Sequence, residues 1–151
     1  MEGQLRDRIG AMAASLWWGS LTGLGLVVVL LFRYLDSPQA AGALAARLFS
    51  AQTWLSSCCA LLMLIAFNQK QAFPHVPYGQ TAMKFIVGGL LAALLVEFGI
   101  SPRIASARVD GGNLRLWHSL GSAMLIAQWL CAGYTVWSLS RSSQQESLQQ
   151  P

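Results

Sequence analysis

Four long apolar stretches alternate with short polar segments along this chain. The charge-free runs occupy residues 9–32, 48–69, 85–96 and 116–140, and the third continues through Glu97 to Ile100. A run of about 20 apolar residues crosses a bilayer as a helix. The pattern therefore predicts an all-α integral membrane protein, a four-helix bundle with short loops.

Turn-forming residues mark the expected ends of these helices. Residues 1–8 form a short polar lead, residues 9–140 the membrane domain, and residues 141–151 a Ser/Gln-rich tail that we expect to be disordered. Ser37 followed by Pro38 predicts the start of the second helix, since serine caps helices and proline suits their first position. Ser101-Pro102 is expected to end the third helix at Ile100 and to open a short helix reaching Arg108.

Composition supports a membrane protein. The chain is 54% hydrophobic and 11% charged, whereas soluble domains carry about 25% charged residues. The net charge of +4 comes from basic residues at the ends of the apolar runs. This placement predicts that the basic residues contact lipid headgroups and that the chain does not bind nucleic acid. Four spans would place both termini on one side, but Lys and Arg divide evenly between the sides, so the positive-inside rule selects no orientation.

Glu97 is the one carboxylate within these runs. The predicted end of the third helix places it about one turn inside the bundle end, on the side that collects arginines and a histidine. The candidate cluster consists of Glu97, Arg33, Arg47, Arg103, Arg115 and His118. Two interpretations stay open: a structural ion pair between Glu97 and an arginine, or a vestibule that binds an ion or a substrate.

The sulfur-containing side chains of the second apolar run suggest a second hypothesis, a site for a soft metal ion. Cys59 and Met63 are four residues apart and share a helix face, and thiolate and thioether groups suit copper and other soft metals. The same residues are also ordinary apolar fillers. Haem held by two histidines of one chain is not expected, because the predicted topology places His75 and His118 at opposite faces of the bilayer, and no other cofactor is expected.

Small residues on the first helix predict close helix contact. Ser15, Gly19 and Gly23 recur at four-residue spacing, which lets two helix backbones approach in lipid. The partner is either a neighbour in the same chain or the first helix of a second copy, in a homo-oligomer. Gly88-Gly89, within the third run, is likewise expected to allow close packing.

The order of these segments resembles the bacterial branch of the transmembrane protein 205-like family (DUF4149, a domain of unknown function). The resemblance rests on short motifs spread over residues 16–137: residues 31–33, 41–42, 47–49, 101–104 with Arg108, and 117–119 with Met124. It implies a multi-pass protein of the bacterial inner membrane whose biochemical role is unassigned. The eukaryotic namesake of the family is linked to platinum-drug resistance, and a more distant similarity runs to copper-resistance membrane proteins. The resemblance therefore favours the soft-metal hypothesis. It does not identify which residues of this chain would bind the metal.

No nucleophile elbow, phosphate loop, zinc-binding histidine pair or dinucleotide fingerprint occurs in the sequence. We therefore expect no enzyme. The leading prediction is a small transport component or a membrane accessory subunit whose protein partner the sequence does not identify. The alternatives are a soft-metal handling protein and a scaffold that dimerises through the first helix.

Overall fold

The computed structural model describes residues 2–68 and 77–149, and the side chains of residues 5–67 and 81–141. Its helices are α1 (Glu2–Tyr34), α2 (Pro38–Asn68), α3 (Pro77–Leu94), α4 (Ser101–Asp110) and α5 (Leu114–Gln149), with a π-helical turn at Leu95–Ile100 between α3 and α4. The described residues contain no strand, so the all-α prediction is confirmed.

Side-chain hydrogen bonds cap the first turns of two helices, and the sequence predicted the first of these caps. The Ser37 hydroxyl accepts a hydrogen bond of 3.3 Å from the Ala40 N–H at the start of α2. The Asn113 carboxamide oxygen accepts one of 3.1 Å from the Leu116 N–H at the start of α5. Just before it, Gly111 ends α4 with a left-handed φ of 72°, which glycine adopts at little cost.

The helices pack side by side as four rods: α1, α2, the continuous stretch from α3 through the π-turn to α4, and α5. α1 packs on α2 and on α5, and α3 packs on α5 and on α2. The short connections at residues 35–37 and 111–113 make successive rods antiparallel neighbours. The arrangement supports the predicted four-helix bundle, with α3, the π-turn and α4 together forming the third rod.

The bundle core combines a few large side chains with many small ones. Trp17, Met63 and Ile86 are fully buried, and they pack with Cys59 and with four alanines: Ala13, Ala14, Ala60 and Ala132. Alanines at helix contacts allow backbones to approach closely, which is how helices associate where water is excluded.

Among the residues that the structure describes, three helical stretches have the length and apolar composition to cross a membrane: Leu5–Tyr34, Pro38–Phe67 and Thr81–Asp110. The sequence predicted four. The fourth rod, α5, is long enough, but polar side chains such as Gln128 and Thr135 interrupt its apolar pattern.

Two boundaries differ from those predicted. α1 begins at Glu2, so most of the expected polar lead is helical, and α5 extends to Gln149 and includes most of the segment for which we expected a disordered tail. Both segments are polar extensions of an apolar helix, into which helical hydrogen bonding propagates easily because each added residue contributes one bond.

Candidate functional site: a carboxylate at a π-helical turn

The third rod does not break at Ser101-Pro102, contrary to the sequence prediction. Leu94, Ile100 and Ser101 all keep right-handed helical dihedral angles, and the Ser101 N–H bonds to the carbonyl of Val96, five residues back. Proline removes a helical N–H, and its ring crowds the carbonyl four residues before it. The wider π-turn relieves that crowding, so the helix continues where the dipeptide suggested an end.

This continuity changes the position of Glu97 along its helix. The helical path continues to Asp110, about 20 Å beyond Glu97 at about 1.5 Å per residue. Within the candidate span Thr81–Asp110 the midpoint falls between residues 95 and 96. The prediction that Glu97 lies about one turn from the bundle end is therefore wrong, because it relied on a helix end at Ile100.

Glu97 has a serine as its partner. The Ser50 hydroxyl, on α2, donates a hydrogen bond of 2.6 Å to Glu97 Oε1. Both residues are half-buried, and Ser50 lies within one turn of the midpoint of its own candidate span, Pro38–Phe67. The distance lies within the usual range for a hydrogen bond between two oxygens.

The predicted cluster of basic residues does not converge on Glu97. The Arg103 guanidinium lies over the ring of Trp117, 4.8 Å from its centroid. All five basic members of the cluster are exposed: Arg33, Arg47, Arg103, Arg115 and His118. Within the side chains that the structure describes, none of these groups forms an ion pair with Glu97, so the structure pairs the carboxylate with Ser50 in place of an arginine.

Arg108 marks a separate contact at the same end of the bundle. Its guanidinium lies against Gly42 on α2, where an added Cβ would come within 3.2 Å of a guanidinium nitrogen. Arg115 and His118 instead line an open groove along the outer face of α5, which also includes Ser119, Ser122 and Ile126. Arg103, Arg108 and Arg115 therefore lie in different local surroundings and do not gather around Glu97.

Cys59 and Met63 both lie in the apolar core of the bundle. Cys59 is 2% exposed and Met63 is fully buried, and their neighbours there include Trp17 and Ile86. Among the described residues, no group of three His, Cys, Asp or Glu side chains forms a metal-binding set. His75 lies outside the described residues. A soft-metal site at Cys59 and Met63 therefore stays a prediction.

The small-residue stripe of α1 faces outward. Ser15 and Gly19 are exposed, and a Cβ added at Gly19 or Gly23 would meet no neighbouring atom within 4 Å. The interpretation that this stripe packs against another helix of the same chain is wrong at both glycines. α1 uses the opposite face, including Ala13, Ala14 and Trp17, for its internal contacts.

The two central glycines of α3 differ. A Cβ at Gly89 would lie 2.5 Å from Cη2 and 2.8 Å from Cζ2 of Trp17, whereas a Cβ at Gly88 would meet no neighbouring atom within 4 Å. Gly89 therefore provides the space into which the Trp17 indole inserts. The expectation of close packing is confirmed for Gly89 alone.

Sequence reasoning missed a buried polar network at the bundle centre. Ser56 on α2 accepts hydrogen bonds from the carboxamides of Gln52, at 3.1 Å, and Gln128 of α5, at 2.9 Å. Gln52 also bonds to Ser20 of α1 at 2.9 Å. The network links three helices and crosses the bundle from α2 to α5. Its sequence signal is glutamine within an apolar run, which a search for charged groups overlooks.

The family region coincides with the first three rods. The family model described as "Domain of unknown function (DUF4149)" matches residues 12–113. The chain belongs to this family. The match includes Ser50, Glu97 and the π-turn, and it ends just before α5, so the family region does not include the motif at residues 117–119. No curated protein and no solved structure matches the chain significantly.

Proposed function

We propose that this DUF4149 protein is a multi-pass protein of the bacterial inner membrane, within the transmembrane protein 205-like branch, with both termini on one side. We propose further that it is a small, non-enzymatic transport component whose ion-responsive group is Glu97. The observation that carries the proposal is the Ser50–Glu97 hydrogen bond at the middle of two candidate spans.

A carboxylate at this depth is difficult to explain as a structural element. An ionised Asp at the centre of a spanning helix raises the insertion free energy by about 2.5–3.5 kcal/mol, and a glutamate carries the same charge. A guanidinium partner would offset that energy, but in the described part of the chain the contact of Glu97 is a neutral hydroxyl. Carboxylates held inside membranes without such compensation are typical of ion and proton pathways.

The Ser50–Glu97 pair suits a group that changes its protonation state. When Glu97 is ionised, the Ser50 hydroxyl donates to the carboxylate. When Glu97 is protonated, its own O–H donates and the Ser50 oxygen accepts. One hydrogen bond therefore persists in both states, so protonation requires no rearrangement of the helices at this position.

The first experiment is a labelling reaction on the full chain in nanodiscs. A hydrophobic carbodiimide reacts with protonated carboxylic acids in the membrane, and the modified residue is identified by mass spectrometry. We expect Glu97 to react faster as pH falls, and exposed Asp110 at the end of α4 to react little. A rate at Glu97 that does not depend on pH would refute the titration and with it the proposed function.

The second experiment separates transport from structure. Proteoliposomes with an entrapped pH-sensitive dye report proton movement under an imposed gradient. Glu97→Gln keeps the size and hydrogen-bonding capacity of the side chain but removes its charge, so we expect proton movement to stop while the thermal midpoint changes little. The matched control is Asp110→Asn, which should move protons as wild type. A Glu97→Gln protein that conducts normally but melts earlier would favour a structural role.

A scaffold function has one observation in its favour. The stripe of Ser15, Gly19 and Gly23 is open to a second molecule, and small residues at this spacing support helix pairing in lipid. A homo-oligomer through α1 is compatible with transport at Glu97, which lies on the third rod. Dimerisation is therefore a second proposal, and the Gly19 variant described in the Discussion tests it.

A further inference from the structure

Two arginine–tryptophan pairs lie along α5, and their tryptophans are 20 residues apart. The Arg103 guanidinium lies 4.8 Å from the ring centroid of Trp117, and the Arg141 guanidinium lies 4.0 Å from that of Trp137. Tryptophan favours the boundary between hydrocarbon and headgroups. At about 1.5 Å per residue the two pairs are about 30 Å apart, which is the thickness of the hydrocarbon layer. This spacing supports α5 as a fourth span between residues 117 and 137.

An open groove on the outer face of α5 begins beside the first of these pairs. The side chains that line it include Arg115, His118, Ser119, Ser122 and Ile126. Their spacing along the helix places them on one face. Arg115 and His118 flank Trp117 in the sequence and therefore lie at headgroup level. Ile126 lies about 14 Å farther along the helix, close to the middle of a layer of about 30 Å.

The groove changes in polarity along its length, in the order in which a phospholipid does. The guanidinium of Arg115 and the imidazole of His118 come first, then the hydroxyls of Ser119 and Ser122, and then the apolar side chain of Ile126. All five side chains are exposed. Within the part of the chain that the structure describes, the four polar ones form no hydrogen bond or ion pair with another residue, so their donors are available to a ligand.

From this arrangement we propose that the α5 groove binds one anionic glycerophospholipid, with the phosphate at Arg115 and His118 and an acyl chain along the face toward Ile126. The inference rests on the membrane location in the proposed function and is independent of the proposed transport. A guanidinium presents paired N–H donors to phosphate oxygens, and an imidazole presents at least one. The two serine hydroxyls can donate to the ester oxygens between phosphate and acyl chain.

The charges of the groove favour an anionic lipid over a zwitterionic one. No Asp or Glu is among the described residues that line it, so the ammonium group of a zwitterionic headgroup would find no carboxylate there. Basic residues close to the membrane surface attract anionic lipids. The Arg115 guanidinium therefore distinguishes a lipid with net negative charge from a neutral one.

A second copy of the chain is a poorer occupant of this face. Two copies inserted in the same orientation would meet through identical patches, and each Arg115 would then approach its counterpart. Like charges placed together at an interface disfavour association. A lipid phosphate supplies the opposite charge, and an open groove leaves its second acyl chain among the surrounding lipids.

The test places the full chain in phosphatidylcholine nanodiscs that contain a trace of phosphatidylglycerol with a photoreactive diazirine in the middle of one acyl chain. Mass spectrometry of the peptides locates the crosslinks. We expect the label to be concentrated at residues 123–126, whereas the same probe with a phosphatidylcholine headgroup should label the lipid-facing surface evenly. Even labelling by both probes would overturn the lipid site.

The same experiment separates this inference from the proposed function. Even labelling would leave the carbodiimide and proton-movement results at Glu97 unaffected. The absence of label from both probes between residues 117 and 137 would remove the lipid site and also the fourth span, and with it the proposal that both termini lie on one side.

Arg115→Gln tests the headgroup contact. We expect the preference for phosphatidylglycerol over phosphatidylcholine at residues 123–126 to fall about fivefold, the effect of one basic residue near an anionic lipid surface. The matched control is Arg33→Gln, which removes an exposed arginine at the same end of the bundle but outside the groove and should label as wild type. Equal losses in the two variants would indicate a general charge effect and refute a site at Arg115.

Ser122→Phe tests the acyl-chain contact without changing the charge. The phenyl ring would fill the groove between the headgroup end and Ile126, so we expect the label at residues 123–126 to fall to the level of the surrounding surface. Leu120→Phe, at an exposed position of α5 outside the groove, is the matched control and should label as wild type. Unchanged labelling in Ser122→Phe, with helical content and size retained by circular dichroism and gel filtration, would refute the path of the chain along this face.

Discussion

Gly89→Ala and Gly88→Ala form a matched pair that tests the packing of the bundle core. The two glycines are adjacent in the interior of α3, so alanine brings the same gain in helix propensity at both positions, up to about 1 kcal/mol. They differ in what the new methyl group meets. At Gly89 it would lie 2.5 Å and 2.8 Å from two atoms of the Trp17 indole, and at Gly88 it would contact nothing within 4 Å.

The steric term sets the expected difference. Carbon atoms in contact prefer separations of about 3.5–4.0 Å, so the Trp17 ring must move by about 1 Å to admit the methyl group. Overpacking of this kind typically lowers the free energy of unfolding by about 1–3 kcal/mol. Because the propensity gain is common to both variants, Gly89→Ala should be less stable than Gly88→Ala by about 1–3 kcal/mol.

Thermal unfolding of the full chain in detergent, followed by far-ultraviolet circular dichroism, measures this difference. At about 2–4 °C per kcal/mol for a chain of this size, we expect Gly89→Ala to melt several degrees below Gly88→Ala. The double variant Trp17→Phe/Gly89→Ala is the decisive control, because phenylalanine lacks the outer indole atoms that meet the methyl group. The Trp17 N–H has no described hydrogen-bond partner that this change would break.

The Trp17→Phe change will itself lower stability by leaving space, so the informative quantity is the coupling between the two substitutions. Residues in contact show coupling energies of about 0.5–3 kcal/mol. The double variant should therefore be more stable than the sum of the single changes predicts. Strict additivity, or equal melting of the two glycine variants, would refute the insertion of Trp17 at Gly89.

Three further outcomes are expected from other parts of the molecule. Gln128→Leu should lower the free energy of unfolding by about 0.6 kcal/mol, the mean for hydrogen bonds between membrane helices, and by no more than the observed maximum of about 1.7 kcal/mol. A variant at least as stable as wild type in the same melting assay would contradict a stabilising network. Gly19→Leu should abolish dimers seen by crosslinking in nanodiscs, whereas Gly25→Leu should not, and persistent dimers in Gly19→Leu would exclude the α1 stripe as their seam. If the soft-metal hypothesis holds, purified protein should bind Cu(I) stoichiometrically and lose it in Cys59→Ala/Met63→Leu, and no bound copper in the wild-type protein at micromolar supply would refute it.

Local rules of capping and apolar periodicity predicted the helices well. Ser37 and Pro38 are capping and first-turn residues whose effect depends on neighbours a few positions away, and α2 begins where these residues indicate. Apolar run length likewise located the rods, because helix formation in an apolar medium must satisfy every backbone group within the segment.

The same rules failed at Ser101-Pro102, and the reason is physical. Proline disfavours a continuing α-helix by removing one hydrogen bond and crowding one carbonyl, but a π-turn of six residues accommodates both effects without leaving helical dihedral angles. Whether a helix ends or widens at a proline depends on the packing of the segment after that proline. Here α4 continues the rod and packs on α5, a tertiary contact that the local sequence does not reveal.

The partner of Glu97 illustrates a second limit. Charge counting led to arginines, because these are the strongest partners a carboxylate can have. Partner choice depends on the depth and rotation of neighbouring helices, which place Ser50, a residue with no distinguishing pattern, within 2.6 Å of the carboxylate.

The position of Glu97 along its helix connects the wrongly predicted helix end at Ile100 to the proposed function. A carboxylate one turn from a helix end can extend to water and pair with interfacial arginines, so it requires no function. The continuous rod instead places Glu97 near the middle of the helical stretch Thr81–Asp110, and if this stretch crosses a membrane as proposed, the charge of Glu97 is unfavourable there. The proline that suggested a helix end instead follows a π-turn in a continuous rod, so the position of Glu97 along that rod, and with it the argument for a function, depends on a helix that the dipeptide did not end.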